Sequence, residues 1–200
     1  MSDIRLDPGP GGQSISVAAL KPADIIVSTT GAAISGLIRL GSGSEVSHAM
    51  LYYGGRSVVE AIQRGVVLRS LDNALADANL AVAYRRRGVP AESARKIAQW
   101  ARAQSGKPYD ALGAAAHGPV TIIAPATMKV PVHMLARRER ARTDTANDRF
   151  FCSQLVIRAF AEAGYPIVTG AYANKDPEQL VQAWGHGLLT DVGHLLEFGD

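Results

Sequence analysis

The sequence contains a single cysteine, Cys152, so no disulfide can form within the chain. It also lacks CxxC and HExxH spacings, so neither of these zinc-binding patterns explains the cysteine, and we expect no metal or other cofactor. Without a disulfide or a metal to explain it, Cys152 is either a small buried side chain or a reactive group.

The sequence has neither a dominant charge nor a long apolar run. Its 21 basic and 18 acidic residues are too evenly balanced to indicate a nucleic-acid-binding protein. No uninterrupted apolar run reaches the roughly 18 residues that suggest a membrane span. The amino terminus lacks the charged and apolar regions of a secretory signal. We therefore expect cytoplasmic synthesis without a signal peptide, with leaderless export to act on an envelope as an open alternative.

The composition indicates one domain, because 47% of the 200 residues are hydrophobic and no Ser- or Pro-rich linker divides the chain. Residues 1–14 are rich in glycine and proline and predict a flexible tail, which leaves residues 15–200 as a single folded domain. Apolar segments between glycine turns predict strands at 25–29, 46–52, 56–62, 65–69 and 80–86. Helical spacing predicts helices at 71–78, 91–104, 150–163 and 177–184, and an edge strand after Gly185.

Cys152 lies in the first turn of the predicted helix 150–163, for which Asn147 or Asp148 is available as the N-cap. A cysteine on an apolar helix face is more often a buried hydrophobe than a nucleophile. Its position favours chemistry, because the helix macrodipole and the free N–H groups stabilise a thiolate. The same donors can hold the oxyanion of a tetrahedral intermediate. We therefore expect an accessible, activated thiol.

A thiol nucleophile needs a base, and five histidines are available. His48 is distinctive because it lies within the predicted strand 46–52, where an unpaired imidazole is costly. From spacing alone, a core histidine bonded to a backbone carbonyl is an equal alternative. Glu60 lies in the next predicted strand between apolar neighbours, where glutamate is rare unless it is paired. A His48–Glu60 pair satisfies both residues.

The turn between these two strands decides whether the two side chains meet. A two-residue loop, Gly54 and Gly55, places Glu60 on the opposite face from His48. A three-residue loop from Tyr53 to Gly55 places Glu60 directly opposite His48, with Cβ atoms about 5 Å apart. The glycines permit either loop, and a functional pair requires the second.

Six short motifs lie between about residues 20 and 165: Pro22-Ala-Asp-Ile-Ile26, Ser47-His-Ala-Met-Leu-Tyr-Tyr-Gly54, Val59-Glu-Ala61, Gly65-Val66, Pro108-Tyr-Asp110 and Phe151-Cys-Ser-Gln-Leu-Val156. As a set they resemble the circularly permuted papain-like cysteine hydrolases, a family related to NlpC-type cell-wall peptidases and to lecithin:retinol acyltransferase. In the permuted group the histidine and the third polar residue precede the cysteine. His48, Glu60 and Cys152 follow that order.

The resemblance implies an α+β permuted papain-like fold, in which an antiparallel sheet packs against the helix that carries the cysteine. It implies that Cys152 is the nucleophile, that His48 is the base and that Glu60 orients the histidine. It also makes Tyr109 a candidate for substrate contact or oxyanion support.

The sequence departs from the family pattern at two positions. Ala23 replaces a frequent glycine, and Gln154 replaces a frequent glutamate two residues after the cysteine. Neither change removes a catalytic atom. Asp24 is expected to have a structural or loop-capping role, and Arg85 to Arg87 are expected to form a strand end in water.

Together these features predict a cysteine-dependent acyl hydrolase, in the first place an amidase or peptidase acting on a short peptide such as a cell-wall stem. A lipid acyl hydrolase or acyltransferase is the alternative, since the proline-broken apolar segment 120–134 and the four arginines at 137–142 could contact an anionic membrane surface. The same segment could simply cover the core. A non-catalytic ligand-binding module is a third option, because a fold does not fix a function. The expected partner is a peptide or lipid substrate, and no nucleic acid.

Overall fold

The computed structural model describes residues 14–30, 48–110, 150–168, 180, 183 and 186–195. Its strands are β1 (Ser14–Ile15), β2 (Ile25–Thr30), β3 (His48–Gly54), β4 (Ser57–Ile62), β5 (Gly65–Ser70), β6 (Ala78–Arg86) and β7 (Leu189–Leu195). Its helices are α1 (Leu71–Leu75), α2 (Ala91–Ala103) and α3 (Cys152–Glu162), with a short 3-10 turn at Val17–Ala19. All the strands join one sheet in the order β1-β7-β6-β2-β3-β4-β5.

The sheet is antiparallel except where β1 runs parallel to β7. Strand β3, which carries His48, lies inside the sheet between β2 and β4, so both of its edges are hydrogen-bonded to neighbouring strands. Its side chains alternate between two apolar clusters, with Ala49 and Leu51 in one and Met50 and Tyr52 in the other. The predicted α+β class and antiparallel sheet are therefore confirmed.

The helices divide between the two faces of the sheet. Residues of α2 and α3 belong to one apolar cluster, whereas α1 and the 3-10 turn contribute to the other. Helix α3 is buried around most of its first two turns, from Cys152 to Ile157. Fully burying a side chain such as Leu155 or Phe160 stabilises the fold by about 1.5–3 kcal/mol. This packing fixes the start of α3 relative to the sheet.

Two predictions, the place of the last strand in the sheet and the N-cap of helix α3, are wrong. The last strand is not at the sheet edge, since β1 pairs outside it through Ser14 and His194. Helix α3 has Phe151 as its N-cap rather than Asn147 or Asp148, which lie outside the described residues. The predicted helix 177–184 lies outside them too, apart from the helical positions 180 and 183. Of the predicted tail 1–14, only Ser14 is described.

Asp24 joins three parts of the sheet at the start of β2. Its buried carboxylate accepts hydrogen bonds from the backbone N–H of Lys21 at 2.7 Å and from Arg85 Nε and Nη2 at 2.7 and 2.6 Å. Its carbonyl oxygen accepts from the N–H of Tyr52 in β3 at 2.8 Å. The geometry fits the predicted structural role. The expectation that Arg85 lies in water is wrong, because the side chain forms this ion pair.

Ala23 adopts a backbone conformation that explains why a glycine is common at this position. Its φ of 67° lies in the left-handed region, which costs a side chain about 1–2 kcal/mol. Its N–H donates to the carbonyl of Tyr52 at 2.9 Å, so the strained residue forms part of the connection between β2 and β3.

Candidate active site

The hairpin between β3 and β4 differs from both loops considered from the sequence. Gly54 pairs with Ser57, and the turn residues are Gly55 and Arg56, with φ values of 57° and 56°. This is the pattern of a two-residue primed turn. Tyr53 is an extra residue on β3, because the register shifts between Tyr52 and Gly54. The predicted loop from Tyr53 to Gly55 is therefore wrong.

The bulge at Tyr53 nevertheless keeps Glu60 and His48 on one face. Tyr52 pairs with Val58, and continuing that register places Glu60 opposite Met50. Since side chains alternate along a strand, His48 lies on the same face as Met50, diagonally across from Glu60. The side chains span this diagonal, and His48 Nε2 lies 2.7 Å from Glu60 Oε2. The predicted contact is present, with a different register.

Burial makes this contact a strong one. The side chain of Glu60 is 1% exposed and that of His48 17% exposed. Burial opposes the Glu60 carboxylate, but hydrogen bonds and charges from His48 and Arg69 outweigh it and lower the pKa of Glu60 below its ordinary value. Glu60 is thus held as an anion beside the imidazole.

Cys152 is the first residue of α3, and its thiol lies close enough to the His48 imidazole to influence its protonation. Because His48 Nε2 is engaged by Glu60, Nδ1 is the ring nitrogen left for the thiol. Burial disfavours the imidazolium form, but hydrogen bonds and charges from Cys152 and Glu60 outweigh it and raise the pKa of His48 to about 10. The structure therefore brings together all three residues of the predicted triad.

The start of α3 has the polarity that a thiolate requires. Its N-cap, Phe151, is extended and makes no side-chain cap hydrogen bond, and the first turn contains no acidic residue. The positive end of the helix dipole therefore lies at the sulfur. The expectation of an accessible thiol is wrong, since Cys152 is only 2% exposed. Reagents must enter the site as well as react there.

Arg69 is a neighbour of the triad that the sequence reasoning missed. Its Nη1 donates to Glu60 Oε1 at 3.0 Å, on the carboxylate oxygen that His48 does not use. Strands β4 and β5 pair Glu60 with Val67 and Val58 with Arg69, so Arg69 is diagonal to Glu60 on the same face. The period of two in β5 and the turn before Gly65 were the available signal.

Tyr109 lies beside Cys152 through a short bridge between two loops. Its Cα pairs with Phe150, and the N–H of Asp110 donates to the carbonyl of Phe150 at 2.9 Å. Burial first, then the negative charges of Cys152 and Asp110, raise the pKa of Tyr109 above its ordinary range. Because the charge of Cys152 contributes to the raised pKa of Tyr109, the two side chains are close, as predicted for a residue near the site.

Gly65 allows the loop before Tyr109 to dock on β5. The N–H of Val66 donates to the carbonyl of Lys107 at 2.9 Å, and the N–H of Gly106 donates back to Val66 at 2.9 Å. A Cβ on Gly65 would lie 2.4 Å from the Lys107 oxygen, and the φ of 105° also favours glycine. The Gly65-Val66 motif therefore positions Tyr109.

Three further observations concern the described residues. Gln154 is 3% exposed, and its Oε1 has no hydrogen-bond partner within the described structure. Across the described ranges, no three His, Cys, Asp or Glu side chains are arranged to hold a metal ion. In the same ranges, no helix combines the length and apolar character needed to cross a membrane. The apolar segment 120–134 and the arginines after it lie outside the described residues.

Comparison with known proteins relates the chain to a family of enzymes. The model of the family described as permuted papain-like amidase enzymes of the YaeF/YiiX type matches residues 19–113, which include His48, Glu60 and Tyr109 but not Cys152. The probable lipoprotein peptidase YaeF of Escherichia coli K12 is 27% identical over 190 residues, which cover 90% of this chain and 68% of YaeF.

A solved structure gives the same result for the fold. The crystal structure described as metalloprotein yiiX from Escherichia coli O157:H7 superposes with a TM-score of 0.51 and 19% sequence identity, covering 88% of this chain and 87% of that one. The sheet described above and this match agree on the fold. Over the matched residues the chain is similar to permuted papain-like amidases, which supports the resemblance seen in the motifs.

Proposed function

We propose that this protein is a cysteine-dependent amidase or peptidase that cleaves a short peptide, such as a cell-wall stem peptide, with Cys152 as nucleophile. The observation that carries the proposal is the continuous chain of contacts from Glu60 through His48 to Cys152 at the start of a helix. This combination supplies a base, a group that orients the base and a helix dipole beside the nucleophile.

In the acylation half of the reaction, His48 already holds the proton, and the Cys152 sulfur adds to the amide carbonyl as a thiolate. A C–S bond forms, and the carbonyl oxygen becomes an oxyanion that backbone N–H groups at the start of α3 can stabilise. His48 then donates its proton to the leaving nitrogen as the C–N bond breaks. General acid–base transfer of this kind contributes about 10² to 10⁴ in rate.

In the deacylation half, His48 takes a proton from water, and the resulting hydroxide equivalent attacks the thioester. The C–S bond breaks, a carboxylic acid leaves, and the thiolate is restored beside the protonated His48. Glu60 keeps its oxygen on Nε2 throughout, so that Nδ1 always faces the sulfur. Tyr109 is positioned to contact the substrate or to support the oxyanion.

A peptide is the favoured substrate because the matched family consists of amidases and the relative YaeF is named a probable peptidase. A lipid acyl hydrolase or acyltransferase remains the alternative from the sequence, and no contact among the described residues favours it. We retain cytoplasmic synthesis as the expected origin of the protein, with export to an envelope as the alternative.

The test is to incubate the full chain with peptidoglycan stem-peptide fragments and, separately, with phospholipid vesicles, and to identify products by mass spectrometry. We expect new amine and carboxyl termini from the peptides, no released fatty acid and no products with Cys152→Ala. Release of fatty acid that depends on Cys152 would instead assign a lipid substrate. An intact peptide pool together with an unreactive Cys152 would leave the protein as a binding module.

A further inference from the structure

We propose that Arg69 is a positioning residue, which holds the Glu60 carboxylate in the orientation that serves His48. The inference rests on the proposed function, since it assigns Arg69 a task within the same site. It goes beyond the triad because Arg69 touches neither the nucleophile nor the base.

The two oxygens of Glu60 are divided between two partners. Oε2 lies 2.7 Å from His48 Nε2, and Oε1 accepts from Arg69 Nη1 at 3.0 Å. A carboxylate that is 1% exposed has little water to replace a lost partner. Rotation of the carboxylate would break one of the two bonds, so the bond to Arg69 fixes the plane in which Glu60 meets the imidazole.

Arg69 is itself held from a second direction. Its Nη2 donates to the backbone carbonyl of Asn73 in α1. The N–H of Asn73 in turn donates to Oγ of Ser70, the N-cap of that helix, at 3.3 Å. The planar guanidinium therefore bridges Glu60 and the first turn of α1, a geometry for which arginine is better suited than lysine.

Arg69 also separates Glu60 from solvent. Its side chain is 33% exposed and lines an open groove of about 540 Å³, which Arg64, Asn73 and Asp77 also line. Removing the guanidinium would open a path from this groove to Oε1 of Glu60. The carboxylate would then turn towards water, because a buried anion with an unpaired oxygen gains most by hydration, and its bond to His48 would loosen.

The direction in which the pKa of His48 changes when Arg69 is replaced distinguishes three possible roles of Arg69. If Arg69 positions Glu60, its loss weakens the His48–Glu60 contact, and the pKa of His48 falls. If Arg69 acts only as a nearby positive charge, its loss removes repulsion from the imidazolium, and the pKa of His48 rises. If Arg69 only ties β5 to α1, the pKa of His48 does not change.

The measurement is an NMR titration of the full-length protein with isotope-labelled histidine, in which His48→Gln identifies the His48 signal. We expect Arg69→Gln to lower the pKa of His48 by about 1 or more, the usual scale for a charged hydrogen-bond partner. Arg69→Lys should lower it less, because an ammonium keeps the charge but cannot engage Glu60 and Asn73 together. The matched control is Arg64→Gln, an exposed arginine on the same groove, which should leave the pKa unchanged.

A second readout is the rate at which iodoacetamide alkylates Cys152 in the folded protein at pH 7. Arg69→Gln should slow alkylation, while Arg64→Gln should match the wild type. A His48 pKa that rises or stays constant in Arg69→Gln overturns the proposal. If Arg69→Gln does not fold, the direction of the change in the pKa of His48 is measured in Arg69→Lys instead, and a fall is again the expected result. Neither readout uses a substrate, so a failed peptide assay and a failed positioning role are distinguishable.

Discussion

Two carboxylates in this protein are equally buried and each is paired with an arginine, yet they differ in what their second oxygen contacts. Asp24 and Glu60 are both 1% exposed, and Arg85 and Arg69 are 34% and 33% exposed. Both carboxylate oxygens of Asp24 accept hydrogen bonds from Arg85, and one of them also accepts from the backbone N–H of Lys21. One carboxylate oxygen of Glu60 accepts a hydrogen bond from Arg69, and the other is hydrogen-bonded to His48.

This difference distinguishes Asp24, which belongs to a structural ion pair, from Glu60, which belongs to the candidate active site. The oxygens of Asp24 are engaged by groups that stay charged or fixed, so its pairing contributes only to the fold. Glu60 is shared with an imidazole, a group that gains and loses a proton and contacts Cys152. A buried carboxylate that shares one oxygen with a titratable group can influence chemistry.

The largest effects are expected on the Glu60 side of the comparison. Cys152→Ala should abolish peptide turnover, and His48→Ala should lower it by about 10² to 10⁴, because the base and the leaving-group acid are both lost. Glu60→Gln should retain measurable turnover, since the amide keeps one acceptor for the imidazole. The assay is release of peptide fragments, followed by mass spectrometry.

Combining the changes tests whether Glu60 acts through His48. The double variant His48→Ala with Glu60→Gln should be scarcely slower than His48→Ala, because residues that act as a unit are non-additive. If the two losses multiply, Glu60 acts independently of His48, and the contrast with Asp24 fails.

On the Asp24 side, stability should change and chemistry should not. Asp24→Asn leaves Arg85 without its counter-charge and weakens the hydrogen bonds of a buried side chain. Because Arg85 is 34% exposed and can be hydrated, we expect a loss of about 1–3 kcal/mol of unfolding free energy. Urea unfolding measures this loss. The exposed pair of Arg56 and Asp72, with side chains 56% and 42% exposed, is the control. Asp72→Asn should cost no more than about 1 kcal/mol.

The same variant gives the reverse test. The folded fraction of Asp24→Asn should be alkylated at Cys152 as fast as the wild type. Alkylation slowed to the rate of Glu60→Gln would show that Asp24 also controls the site.

The pH dependence of stability should belong to the His48–Glu60 pair. The pKa of His48 rises from 6.5 to about 10 on folding, so the folded chain holds a proton that the unfolded chain releases between these values. Its stabilisation is complete below pH 6.5 and declines as the pH rises towards 10, by at most about 1.4 kcal/mol per pH unit. The pKa of Glu60 falls below 4.5, so its contribution is present above pH 4.5 and is lost at lower pH.

The difference in unfolding free energy between the wild type and His48→Gln should therefore be greatest between about pH 4.5 and 6.5. Urea unfolding at several pH values measures it. A difference that grows between pH 7 and 10 would contradict the raised pKa of His48.

The smallest expected effect lies at Ala23, next to Asp24. Ala23→Gly removes the strain of a positive φ but increases the freedom of the unfolded chain, so the unfolding free energy should change by less than about 1 kcal/mol. Ala23→Val should be clearly destabilising, because a β-branched side chain is poorly tolerated at positive φ. Equal stability of the two variants in urea would show that the backbone at this position relaxes.

Short-range patterns in the sequence determined the local elements and the candidates for the triad. Apolar runs and glycine turns predicted the strands from Ile25 to Arg86, since side-chain alternation and turn chemistry act over a few residues. Helical spacing placed Cys152 in the first turn of α3. The pairing of His48 with Glu60 was predicted because a buried imidazole and a buried carboxylate each need a partner.

The tertiary structure alone decided the register of the hairpin, the burial of Cys152 and the choice of arginine partners. The bulge at Tyr53 depends on how β3 packs in the sheet, since the glycines of the β3–β4 hairpin permit several turns. Arg85 reaches Asp24 across 61 residues of sequence, a contact that no local pattern encodes. Because ion pairs and ladder registers depend on which strands become neighbours, residues such as Arg69 acquire their roles only when the sheet is assembled.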